Sequence, residues 1–101
     1  MTQKTHDFKL IDDALVTLGV TQAEFSQRYL GKSHSYVSAI KATGTPPSTC
    51  ALSHLSQRLR LQLGCLGEAT NLAEVDALRR LLTATDGVLM RRAVEACAGS
   101  N

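Results

Sequence analysis

Residues 21–48 read TQAEFSQRYLGKSHSYVSAIKATGTPPS, and this stretch decides the fold. Thr21 and Glu24 stand in the pattern of a capping box, in which each side chain satisfies a backbone amide near the other. Val20 and Phe25 take the flanking positions of a hydrophobic staple. The helix they open runs to about Leu30 and breaks at Gly31. Only Gly31 and Lys32 separate it from the next expected cap, Ser33, so a further helix is expected over His34 to Ala42, ending at Gly44. Its large aliphatic residues are Val37 and Ile40, three apart, which predicts one narrow buried stripe. The remainder is small or polar: His34, Ser35, Ser38, Ala39 and Lys41. A helix that buries so little on one side presents the other side to something. Thr45, Pro46 and Pro47 then form a rigid loop, because proline fixes φ and disfavours helix in the residue before it. Ser48 caps the next helix.

Working outward, Asp7 is expected to cap a first helix whose apolar face is Phe8, Ile11, Leu15 and Leu18, with Gly19 as its stop. Beyond Ser48, the stripe Leu52, Leu55, Leu59 and Leu63 marks a fourth helix, and Gly64 and Gly67 punctuate a loop. Asn71 and Glu74 open a fifth, with Leu72, Val75, Leu78, Leu81 and Leu82 apolar. Asp86 caps a sixth through Val88, Leu89, Val94 and Cys97, unless the two are continuous through Gly87. The fold class is all-α: a compact helical bundle with a C-terminal helical hairpin or long helix. Residues 1–66 form the expected main domain and 67–101 a C-terminal extension.

Composition agrees with one small helical domain. The 101 residues are 44% hydrophobic, aromatics are limited to two Phe and two Tyr, and β-branched runs are absent. The net charge is only +2, yet its distribution is uneven. No Asp or Glu occurs between Phe25 and Gly67, whereas Arg28, Lys32, Lys41, Arg58 and Arg60 all fall there. Such a basic stretch is the expected footprint of a phosphate-contacting surface.

Three cysteines without CxxC spacing predict no disulfide framework, which fits a reducing, cytoplasmic setting. No leader segment or transmembrane stretch is expected. Cys50 and His54 lie four apart on a helix, but no second pair stands at ligand spacing, so Cys50 reads as core and no metal is expected. His34 has no nucleophile or orienting carboxylate placed by the sequence, so an enzyme is not expected. No cofactor and no small-molecule ligand are evident.

With these caps and stripes in place, Thr21 to Ser48 resembles the Xre/Cro-type helix-turn-helix family of phage repressor-like transcriptional regulators. The resemblance rests on the TQAE opening, the S-x-S-Y-V-S-x-I recognition helix and the G-x-x-P-S exit. With the flanking helices it covers about residues 7 to 63. It implies a lambda repressor-like fold that binds double-stranded DNA. One spacing departs from the family: four residues, Gln27 to Leu30, separate Ser26 from Gly31, where three are usual. Either the second helix is longer by a residue, or Leu30 takes the turn site and Gly31 is extra.

By that resemblance His34, Ser35 and Ala39 face bases, with Ser38 nearby and Tyr36 reaching a base or a phosphate. Gln22, Arg28, Lys32, Ser33, Lys41, Thr43 and Thr45 are expected at the DNA backbone. The expected function is a transcriptional regulator, acting as a repressor of phage or mobile-element type. It is expected to bind an inverted-repeat operator as a homodimer, with Leu78, Leu81, Leu82 and Leu89 at the dimer interface. The alternative is a helical protein-interaction module, an adaptor or an antitoxin-like subunit, in which the last helices hold a partner.

Overall fold

Periodic leucines and glycine stops generate an all-α chain. The computed structural model describes the backbone of residues 2–66 and 71–99, and the side chains of residues 7–66 and 71–97. Helix α1 spans Thr2–Leu18 and ends at Gly19. Helix α2 (Gln22–Glu24) continues without a break into a π-helical segment, Phe25–Tyr29. Helix α3 spans Tyr36–Thr43, α4 Thr49–Cys65 and α5 Leu72–Gly99. The expected boundary after residue 66 and the punctuation at Gly67 lie outside the described residues, as does the tail after Gly99.

Ser48 caps its helix as the sequence predicts, its Oγ accepting the Ala51 amide at 3.1 Å. Of the expected capping box the Thr21 half is present, Oγ1 accepting the Glu24 amide at 3.1 Å, whereas the Glu24 carboxylate turns to Arg28. Asn71 also starts its helix, its side-chain carbonyl accepting the Ala73 amide at 2.8 Å. Two expected caps are corrected. Asp7 lies inside α1, where its carboxylate is buried and accepts from Arg92 Nη2 at 2.9 Å. Asp86 lies inside α5, accepting from the Ser56 hydroxyl at 2.6 Å and pairing with Arg60. Both acids satisfy side chains of other helices, so neither is free to close a helix end.

The C-terminal third is therefore one long helix, running through Gly87, and it packs against α4 and α1. A single apolar cluster joins Leu10, Ile11 and Ala14 of α1, Val37 and Ile40 of α3, Leu52, Leu55 and Leu59 of α4, and Leu78, Leu81 and Val88 of α5. This corrects the expected dimer surface. Leu78 and Leu81 are 2% and 5% exposed within the chain itself, and Leu82 and Leu89 pack partly buried against the same core. Side chains already out of water have little apolar area left to offer a partner. Leu72, by contrast, is 79% exposed and belongs to no core stripe.

Candidate nucleic-acid interface

Helix α3 buries Val37 and Ile40 and nothing else of size, as its sequence predicts. Its start is corrected: it begins at Tyr36, two residues later than expected. Ser33 is not the cap; its carbonyl accepts the Tyr36 amide at 3.1 Å across a tight turn. Ser35 occupies the cap position, but its side chain makes no capping bond. The cap comes instead from another helix. Ser26 Oγ donates to the Gln22 carbonyl at 2.8 Å and accepts the Val37 amide at 3.1 Å. One hydroxyl thus satisfies an orphan donor in the first turn of α3 and ties that helix to its neighbour.

The extra residue between Ser26 and Gly31 is absorbed as a π turn, so the second helix is longer by a residue and Leu30 does not take the turn site. The Leu30 amide reaches back five residues to the Phe25 carbonyl at 3.1 Å, and the Lys32 amide reaches the Ser26 carbonyl at 2.9 Å. In an α-helix the first of these bonds would reach back four residues and the closing bond five; here each reaches one residue further. Gly31 keeps the turn site, at φ +65°, with a Cβ at that position falling 2.8 Å from the His54 ring. Ser26 lies within the π segment and still keeps its bond to the Val37 amide.

The expected base-facing residues share one exposed surface: His34, Ser35, Ser38 and Ala39 are all exposed, and so is Ala42. Tyr36 differs. It is half-buried, and its hydroxyl accepts the Ser48 amide at 2.9 Å, so it braces the entry to α4. The Lys32 ammonium stands 5.8 Å from the Tyr36 ring centroid, within cation–π range. Gln22 and Ser33 are exposed. Thr43 and Thr45 hydroxyls bond each other at 2.8 Å, and Thr43 also donates to the Ala39 carbonyl.

The basic stretch is less bare in space than along the chain. Asp12 of α1 reaches Lys41 at 2.5 Å, Glu24 reaches Arg28 at 3.5 Å, and Asp86 of α5 pairs with Arg60. Lys32 and Arg58 form no ion pair among the described residues. Arg28 lines a hollow with Arg58 and Gln62 of α4. The role of Asp12 had no local signal, since it lies 29 positions from Lys41.

Cys50 is exposed and not part of the core, which corrects its expected burial; it sits at the start of α4 on the side away from Leu52 and Leu55. His54, one turn on, holds the Tyr29 carbonyl at 2.8 Å through Nδ1. Among the described residues no group of three or more His, Cys, Asp or Glu is placed to hold a metal ion. Among the same described residues, no helix is long and apolar enough to cross a membrane.

Comparison with known proteins gives one match. A family model described as a family of unknown function, DUF6626, matches residues 9–98. No curated protein and no solved structure matches the chain.

Proposed function

For a chain that belongs to the DUF6626 family of unknown function, we propose a cytoplasmic, double-stranded DNA-binding regulator of transcription that lays α3 in the major groove. One observation carries this reading. Helix α3 buries only Val37 and Ile40, and the exposed residues His34 and Ser35, in the turn before it, and Ser38 and Ala39, on it, are left open to solvent among the described residues. An α-helix with side chains is about 10–12 Å across and the major groove about 12 Å wide, so one such helix fits. Imidazole and hydroxyl groups donate or accept to base edges, and the Ala39 methyl suits a thymine methyl. Gln22, Lys32, Ser33, Thr43 and Thr45 supply the backbone contacts around it. Base-reading on this surface makes the binding sequence-specific, and repression follows from occupancy of a promoter. A homodimer on an inverted repeat would meet through a face other than the buried leucines of α5.

The test is a salt titration of binding to random duplex DNA, followed by selection of bound sequences from a random duplex library. Binding that weakens with salt, and an enriched sequence, are the expected results. Salt-independent behaviour with no enrichment removes the proposal. A second reading, a protein-interaction module on the same helices, is favoured by the pairing of Arg28, Lys41 and Arg60 with acids. Phosphate binding needs free cations, and the same titration separates the two.

A further inference from the structure

The π-helical segment and the second half of α4 border an open surface hollow of ≈ 300 Å³, lined by Arg28, Tyr29, Arg58, Leu61, Gln62 and Cys65. Tyr29 Oη donates to Gln62 Oε1 at 2.8 Å, which occupies the acceptor of that amide and leaves its NH₂ with two donors. The guanidinium groups of Arg28 and Arg58 carry donors only. No carboxylate lines the hollow. Arg58 forms no ion pair among the described residues, and the one partner of Arg28, Glu24, is 3.5 Å away on an exposed surface where such pairs are weak. Two like charges facing one concavity repel each other until a counter-charge sits between them. Leu61, 62% exposed, adds an apolar wall.

We propose that this hollow binds a small oxyanion, a phosphate or a carboxylate, held by the forks of Arg28 and Arg58 and by the Gln62 amide. Forked guanidinium groups match the planar and tetrahedral edges of both anions. The inserted residue bears on this directly, because the π turn that absorbs it is the segment that carries Arg28 and Tyr29. π turns recur at functional sites. The hollow is remote from the exposed face of α3. Ser48, the cap of α4, is what touches Tyr36, and Arg58 to Cys65 lie roughly 15–25 Å further along α4 at the rise of an α-helix. This makes it a second site, and it stands whether or not α3 binds DNA.

Titration of the full chain with inorganic phosphate, and separately with acetate, followed by backbone amide signals, tests the site. Saturating shifts confined to Arg28, Tyr29, Arg58, Leu61 and Gln62 are expected, with a dissociation constant of about 1 mM or below. Arg58→Ala should weaken phosphate binding on the order of tenfold or more, the worth of a charge-assisted hydrogen bond. Arg58→Lys should restore only part, because an ammonium lacks the fork. Gln62→Leu removes the amide donors without changing charge and should weaken phosphate binding while leaving affinity for random duplex DNA unchanged. Shifts that grow linearly with phosphate, or that chloride reproduces at equal ionic strength, overturn the proposal. So does phosphate binding undiminished in both Arg58→Ala and Gln62→Leu. If Gln62→Leu loses duplex and phosphate together, the anion is a nucleic-acid phosphate and the separate site falls.

Discussion

Ser26 caps a helix to which it does not belong: its hydroxyl accepts the amide of Val37, 11 residues on and in the first turn of α3. The bond is buried and both residues are fully enclosed, Ser26 and Val37 each at 0% exposure. Ser26→Ala leaves that amide without a partner. Its expected cost is about 1–3 kcal/mol of unfolding free energy, read by urea denaturation. Ser35→Ala, at the cap position proper, should change stability much less, since its side chain makes no capping bond. Equal losses for the two would show that the inter-helix cap does not hold α3.

Gly31 and Gly44 both have positive φ, at 65° and 69°, but only Gly31 has a neighbour in the way of a side chain. Gly44→Ala should destabilise by about 1–2 kcal/mol, the strain of a left-handed residue alone. Gly31→Ala should cost more, because its Cβ meets the His54 ring. Adding His54→Ala to it should recover part of that difference in a double-mutant cycle. A cycle with no coupling would remove the close approach from the account.

Deleting Gln27, which is exposed, should let the π segment relax to α-helical spacing while Ser26 keeps its bond to Val37. The expected result is a folded chain with a melting temperature close to the parent. Deleting Tyr29 should unfold it, because that ring is 5% exposed and stacks on Phe25 with centroids 5.8 Å apart. Comparable loss of fold in both deletions would mean that the extra residue is not simply absorbed.

Asp12 pairs with Lys41, the α3 lysine expected from the sequence at the DNA backbone and withheld from it by this contact. Asp12→Asn should therefore raise affinity for random duplex DNA and steepen the log–log salt slope by about 1, as one more cation becomes available to phosphate. Lys32→Ala should lower affinity for all sequences and flatten the slope by about the same amount. An Asp12→Asn protein with unchanged salt dependence would take Lys41 out of the interface.

His34→Ala should cost on the order of 1–3 kcal/mol at a selected site and far less on random duplex, if His34 reads a base. Ile40→Ala, measured beside it, should lower folding stability by roughly 2–4 kcal/mol, because Ile40 is 7% exposed beneath α3. Equal affinity losses for His34→Ala on both duplexes would assign it to the backbone.

What the sequence by itself determined was local. Thr21 and Ser48 cap their helices because a hydroxyl three residues before an amide needs no other partner. Gly19, Gly31 and Gly44 end theirs because a positive φ is open to glycine at no steric penalty. Val37 and Ile40 are buried because their spacing sets one stripe on any helix that holds them. The tertiary structure decided the rest. A leucine stripe states that Leu78 and Leu81 must leave water but not what covers them, and α1 and α4 cover them within the same chain. Likewise Asp12, Asp86 and Asp7 carry their charges in the flanks of the sequence, yet the packing of α1 and α5 brings them to Lys41, Arg60 and Arg92. The π turn is of the same kind. An inserted residue announces itself by spacing, but it becomes a wider turn because Ser26, Tyr29 and Leu30 are each held in place by contacts outside their own helix.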